Sequence, residues 1–99
     1  MGIRNTSLTG TISSILTSTG ETAVVSAYFC NPTTANVEIT VYAVGSGDTA
    51  GVTNKIYSNL TVTANDTYVL DTEKLILSDA DSIQASGDGI VATVIFANL

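Results

Sequence analysis

The stretch that decides the fold is residues 37–44, VEITVYAV. Apolar side chains occupy every second position from Val37 to Ala43, and Glu38 and Thr40 stand between them. Successive side chains of a strand point to opposite faces, so this period of two puts the apolar set on one face. The stretch therefore predicts a β-strand with one face in a hydrophobic core.

The same alternation continues on both sides of this stretch, in residues 22–30 and 54–62. The side chains predicted to face the core are Ala23, Val25, Ala27 and Phe29 in the first segment, and Ile56, Leu60 and Val62 in the second. In residues 8–16, Leu8, Ile12 and Leu16 are four residues apart, which suits a helix or a strand. The Thr and Ser residues around them, together with Gly10, favour a strand.

Turn-forming residues recur at intervals of about ten residues and separate these segments. The predicted strands are residues 8–16, 22–30, 37–44, 54–62, 67–71, 74–77, 82–86 and 90–97. No segment predicts a helix. The Gly-rich residues 45–51 predict a mobile loop that joins two strands.

About seven or eight short strands at this spacing predict an all-β fold, a single antiparallel β-sandwich. Jelly-roll and immunoglobulin-like topologies are both open at this point. The 99 residues suffice for one domain with a modest core. Residues 1–19 are predicted to form an N-terminal strand, or an arm that reaches a neighbouring subunit, and residues 20–99 to form the sandwich.

The charge balance excludes some partners. The chain has three Lys and Arg residues against nine Asp and Glu residues, a formal net charge of −6. Phosphate contacts need clustered basic residues, so no nucleic-acid partner is expected. No run approaches the ~18 consecutive apolar residues of a membrane helix, and no secretory signal is recognisable. We therefore expect no membrane partner and folding in a cytoplasm.

The residue types also argue against catalysis. The chain has no His and one Cys, so neither Cys30 nor a Ser can be activated by a His base. We expect Cys30 to be buried and inert at the end of a strand. Gly45, Gly47 and Gly51 are not followed by Lys-Ser or Lys-Thr, which a phosphate loop needs. The sequence predicts no enzyme, no catalytic residue and no cofactor.

Carboxylates concentrate in the C-terminal third of the chain. They are Asp71, Glu73, Asp79, Asp81 and Asp88. Several of them together could hold Ca²⁺, which takes six to eight oxygen ligands. No complete Ca²⁺-loop pattern is present, and Asp is an ordinary turn residue. The sequence therefore favours turn chemistry and predicts no metal site, with Ca²⁺ left open.

The last predicted strand, residues 90–97, is apolar on both faces. Its core face is predicted to consist of Ile90, Ala92, Val94 and Phe96. The opposite face would expose Val91 and Ile95 unless a loop, the N-terminal segment or another subunit covers them. These two residues are candidate interface residues.

Three tyrosines are further interface candidates. Tyr28, Tyr42 and Tyr57 are predicted to lie on the strand faces opposite the main apolar sets. Exposed together, they could dock a protein or stack on sugar rings. The alternative is that they line a second, half-buried face of the sandwich.

The order of these segments resembles a group of small β-sandwich virion proteins of tailed bacteriophages, common in marine and cyanobacterial phages. The resemblance covers roughly residues 20–97 and is carried by residues 21–31, 37–44, 56–62, 64–71, 73–77 and 81–86. It implies a structural subunit of the virion, assembled in the host cytoplasm: capsid decoration, tail, neck or fibre. It implies no catalytic residues.

The partners that fit this resemblance are the chain itself, as a homo-oligomer, and a major capsid or tail protein. A trimer or a hexamer is the oligomer expected, since closed symmetry can cover the two-sided apolar strand. A glycan-binding module displayed on the same kind of particle is the alternative function.

Overall fold

The strands of the computed structural model, which describes residues 2–70 and 75–99, form two antiparallel sheets. The strands are β1 (Gly2–Ser7), β2 (Ser13–Thr17), β3 (Thr22–Cys30), β4 (Val37–Val44), β5 (Lys55–Val62), β6 (Thr67–Leu70), β7 (Leu75–Leu77), β8 (Ser82–Ser86) and β9 (Val91–Asn98). A single 3₁₀ turn, Val52–Asn54, precedes β5. The predicted all-β antiparallel sandwich is confirmed.

The strand order distinguishes the two topologies left open by the sequence. One sheet has the order β1-β9-β3-β6, with β7 also paired to β3, and the other has the order β2-β8-β4-β5. Where described residues connect one strand to the next along the chain, only β4 and β5 pair with each other in the same sheet. Chain connections that cross repeatedly between two antiparallel sheets in this order are those of a jelly roll. An immunoglobulin domain instead pairs its first two strands in one sheet.

The prediction of a single strand over residues 8–16 in the N-terminal region is wrong. The chain forms β1 over residues 2–7 and β2 over residues 13–17, and the segment between them crosses from one sheet to the other. Leu8 is buried in the core, and its backbone N–H donates to the Ile90 carbonyl at 2.7 Å. β1 escaped prediction because it is an edge strand whose sequence, GIRNTS, carries little apolar alternation. This extra strand raises the number of strands in the described residues to nine.

The remaining strands agree closely with prediction. Segments 22–30, 37–44 and 82–86 are confirmed residue for residue. The observed strand begins one residue later than predicted for 54–62, and it is shifted by one residue at both ends for 90–97. The last residue of the predicted strand 67–71 and the first residue of the predicted strand 74–77 lie outside the described residues. The segment 45–51 is confirmed as part of the connection between β4 and β5.

β-Bulges in β3 and β5 move side chains away from the faces predicted for them. In β3 the pairing with β9 shifts between Val24 and Ser26, so that Val24 is buried and Val25 is 37% exposed. Since one extra residue reverses the alternation, Ala23 and Val25 do not face the core as predicted. In β5 the pairing with β4 shifts in the same way, and Ile56 is exposed.

The core lies between the two sheets. Its largest fully buried apolar side chains are Phe29, Ile15, Ile39, Ile83, Ile90, Val41 and Val94. The predicted core role of Ile90, Ala92 and Val94 is confirmed. Phe96 is half-buried and packs against the core where β9 lies beside β1.

Candidate protein–protein interface

The outward face of the five-stranded sheet carries three of the five predicted interface residues. The register pairs Tyr28 with Thr93, Cys30 with Val91, and Ser26 with Ile95. Their sequence neighbours in both strands, Ala27, Phe29, Ala92 and Val94, are buried. Because side chains alternate along a strand, Tyr28, Val91 and Ile95 point away from the core, and the structure brings them onto one surface.

This surface, called the outer face below, is uncharged in the described strands. Its residues are Ile3, Asn5, Ser7, Ala23, Val25, Ser26, Tyr28, Cys30, Thr67, Val69, Ile76, Val91, Thr93, Ile95 and Ala97. Ile3 is 68% exposed and Ile76 is 61% exposed, and Val25 and Val69 are exposed as well. Several large exposed apolar side chains on one face without charges are a common mark of a protein interaction site.

Val91 and Ile95 are half-buried on this face. β1 lies beside β9 in the plane of the sheet, with Ser7 opposite Val91 and Ile3 opposite Ile95. The N-terminal strand therefore flanks these side chains instead of lying over them.

The other two predicted interface residues lie elsewhere. Tyr42 is only 6% exposed, on the outward side of the other sheet, where its strand neighbours are Gln84 and Lys55. Tyr57 turns toward the core and meets Tyr68 edge to face, with ring centroids 5.7 Å apart at 75°. The structure does not bring the three tyrosines together.

The position of Tyr57 follows from the bulge in β5. Ile39 pairs with Leu60 and Val41 pairs with Tyr57, so two residues of β5 separate the partners where one separates them in β4. Asn59 takes up the extra residue with a φ of 53°. The sequence signal for this is weak: Asn tolerates the left-handed region better than most residues.

Sequence reasoning missed four exposed residues of the outer face: Ile3, Val25, Val69 and Ile76. The signal for two of them was present, since residues 68–70 and 75–77 contain no charged or amide residue and are apolar on both faces, like residues 90–97. Ile3 stands alone in a polar segment, and Val25 depends on the bulge in β3. These two could be found only from the fold.

The prediction that Cys30 is buried is wrong. It is half-buried on the outer face and does not lie inside the core. The alternation explains this, because Phe29 takes the core position at the end of β3 and turns its neighbour outward.

Two of the C-terminal carboxylates considered for Ca²⁺, Asp79 and Asp81, serve in turns, as expected. Asp79 accepts a hydrogen bond from the Gly20 N–H at 2.8 Å. Asp81 accepts from the Ser46 and Ser78 N–H groups, both at 2.9 Å. In residues 2–70 and 75–99, no three His, Cys, Asp or Glu side chains meet as metal ligands would. Two of the carboxylates considered for Ca²⁺, Asp71 and Glu73, lie outside the described residues.

A groove of about 290 Å³ opens between the two sheets beside β1 and β2. Arg4, Thr17, Thr19 and Phe96 are among the residues that line it. Its lining holds no carboxylate and no thiol, so it offers no acid–base pair and no nucleophile with a base.

No family model, curated protein or solved structure matches this chain. Within the described ranges, no helix is long and apolar enough to cross a lipid bilayer.

Proposed function

We propose that this protein is a non-enzymatic structural subunit of a phage virion, a capsid decoration protein that stabilises the particle through protein–protein contacts. The observation that carries the proposal is the apolar, uncharged outer face. Ile3, Val25, Val69 and Ile76 expose large apolar surfaces there. Burying such surface against another protein is favourable at roughly 25 cal/mol per Å².

The distribution of charge supports contact through this face. The chain carries a net charge of −6, yet the outer face of the described strands consists of apolar, hydroxyl, amide and thiol side chains. A contact there would leave the described carboxylates in water, and so would avoid the cost of burying a charge.

The size of the face is sufficient for a specific contact. β9 has eight residues, about 26 Å at ~3.3 Å per residue. The sheet is four strands wide, since β6 and β7 share one side of β3, which is about 19 Å at ~4.8 Å per strand. Contact over this face would bury on the order of 1,000 Å² on the two partners together, near the lower bound for a specific interface.

The jelly-roll topology is compatible with this role, because viral capsid and lectin domains are among the proteins that use it. The fold by itself does not determine the function. The virion assignment therefore depends on the sequence resemblance, and the outer face supplies the physical reason for a contact role.

The test uses phage particles with and without the subunit. Particles that lack it should still form but should lose infectivity faster on heating or osmotic shock. Adding back the wild-type chain should restore resistance, whereas Val69→Lys, which puts a charge on the outer face, should not. Thr61→Lys, at an exposed position of the other sheet, is the matched control and should restore it.

Two results would redirect the proposal. Heads that fail to join tails would indicate a neck or tail subunit instead of a decoration protein. Equal restoration by Val69→Lys and Thr61→Lys would show that the outer face is not the contact surface.

A glycan-binding module is the second candidate. Tyr28 is half-buried on the outer face, between Thr93 and Val69 on the neighbouring strands. An aromatic ring beside a hydroxyl group is suited to stack on a sugar. A monomer that is retained on host polysaccharide, and released when Tyr28 is changed to Ala, would favour this candidate.

A further inference from the structure

The four edges of the two sheets differ in regularity, and the edge formed by β1 is the most regular. β1 pairs with β9 over six consecutive residues, Gly2 to Ser7, without a register shift. β2 has a shift between Ser14 and Leu16, and β5 has two shifts. The fourth edge is shared by two short strands, β6 and β7.

Irregular edges resist pairing with another chain, because a bulge or a break interrupts the row of free backbone groups. β1 lacks these protections. It contains no Pro, and its single charged residue is Arg4. In the described chain no strand lies on the side of β1 that faces away from β9.

The register shows which backbone groups of β1 are free. Leu8 stands opposite Ile90 at the end of the β1–β9 pairing, and its N–H donates to the Ile90 carbonyl at 2.7 Å. In an antiparallel pair, residues whose backbone groups point to the partner alternate with residues whose groups point away. The backbone N–H and C=O groups of Ile3, Asn5 and Ser7 therefore point to the open side.

We propose that a second copy of this chain pairs with this edge, β1 against β1 in antiparallel orientation, so that the two five-stranded sheets become one. The inference rests on the proposed function and deepens it, because it names the contact through which the structural subunit assembles with itself.

The charge on β1 selects the register of this pairing. With the two-fold axis at Asn5, the two Asn5 residues are opposite each other and Ile3 is opposite Ser7 of the second copy. Five residues of each strand then overlap and exchange about six N–H···O bonds. Centring the axis on Arg4 would put two like charges opposite each other, which is unfavourable. Centring it on Thr6 would leave Ile3 without a partner in the β1 strand of the second copy.

Two features of the chain favour a second copy as the occupant. Two-fold pairing about Asn5 gives the free backbone groups of Ile3, Asn5 and Ser7 a partner on both strands, so the edge is complementary to itself. The join would also make the two outer faces continuous, with Ile3, 68% exposed in the single chain, placed beside the new strand.

Proline at Asn5 tests the inference. Asn5→Pro removes the free N–H at the centre of the proposed pairing, and an edge strand tolerates Pro where its N–H faces solvent. Asn5→Ala is the matched control, because both changes remove the hydrogen bond between the Asn5 and Thr93 side chains. Light scattering after size-exclusion chromatography should show a dimer for wild type and Asn5→Ala, and at least a tenfold weaker one for Asn5→Pro.

Cross-linking gives a readout that does not depend on how well the proline variant folds. In a Cys30→Ser background, Asn5→Cys places two thiols at the axis, with Cα atoms about 5.5 Å apart, which a disulfide can span. Ser7→Cys is the control, because its two copies would be separated by about four residues of strand, roughly 14 Å. Oxidised glutathione should link the Asn5→Cys chains and leave the Ser7→Cys chains single.

The outcomes separate this inference from the proposed function. An oligomer that Asn5→Pro does not weaken, or equal cross-linking at both positions, overturns edge pairing and leaves the structural role intact. A monomeric wild-type chain that still protects particles would likewise overturn edge pairing and leave the structural role intact. A monomer that protects no particles overturns both.

Discussion

The side-chain amide of Asn31 donates a hydrogen bond to the Val62 carbonyl at 2.9 Å and so ties β3 of one sheet to β5 of the other. Asn31 is completely buried, and its side chain is fully used. It donates a second bond to the Ala35 carbonyl and accepts two from Thr33. This residue shapes the β3–β4 turn and fixes the distance between the sheets.

We expect Asn31→Ala to destabilise the fold strongly. The change leaves the buried Val62 carbonyl and the Thr33 N–H without these partners, and each such group costs about 1–3 kcal/mol. Urea unfolding should show a loss of about 3 kcal/mol or more. Thr34→Ala, at an exposed position in the same turn, should change the free energy of unfolding by less than about 0.5 kcal/mol. Similar losses for both variants would contradict the role assigned to Asn31.

The bulge in β3 makes a prediction about two neighbouring valines. Val24 is buried and Val25 is exposed on the outer face. Val24→Ala should cost about 2 kcal/mol through lost burial and the cavity left behind. Val25→Ala should cost less than about 0.5 kcal/mol in the dilute single chain. Denaturant unfolding of the pair measures both values, and the reverse order would place the bulge elsewhere.

Asp81 joins two loops through its carboxylate. One oxygen accepts from the Ser46 N–H in the β4–β5 connection, and the other accepts from the Ser78 N–H in its own turn. Asp81→Ala should lower the free energy of unfolding by about 1–2 kcal/mol, and hydrogen exchange at the Ser46 amide should accelerate. Asp88→Ala, at an exposed turn position, is the control. Unchanged protection of Ser46 in the Asp81 variant would rule out the loop contact.

Ala80 adopts a left-handed backbone conformation, with a φ of 67°. This costs a residue with a Cβ roughly 1 kcal/mol, and glycine avoids the cost. Ala80→Gly should therefore raise the free energy of unfolding by about 0.5 kcal/mol, after the greater freedom of glycine in the unfolded chain is counted, and the thermal midpoint should rise with it. Ala35→Gly, at an exposed loop position without a positive φ, should lower it. Two shifts of the same sign would contradict the strain at Ala80.

The strands in the middle of the chain were predictable because their side chains alternate without interruption. Residues 37–44 and 82–86 each have one apolar side, and the structure has them as β4 and β8. Two features were not predictable from the pattern. β1 contains little apolar alternation because none of its side chains is fully buried in the core, and bulges in β3 and β5 reverse the faces partway along each strand.

The candidate interface was predictable in part. The two-sided apolar strand 90–97 correctly indicated that Val91 and Ile95 face away from the core. The sequence grouped Tyr28 with Tyr42 and Tyr57, but the fold puts each of the three in a different environment. Ile3 and Ile76 joined the outer face only through strand pairings between residues distant in sequence, which no local pattern contains.

By itself, the sequence determined the fold class, because a period of two in apolar side chains stabilises strands and one face of each strand must be buried. The tertiary structure alone decided the order of the strands, the faces beyond each bulge and the surface on which the exposed apolar residues meet. These depend on which strands lie side by side, and that is set by packing and hydrogen bonding between segments far apart along the chain.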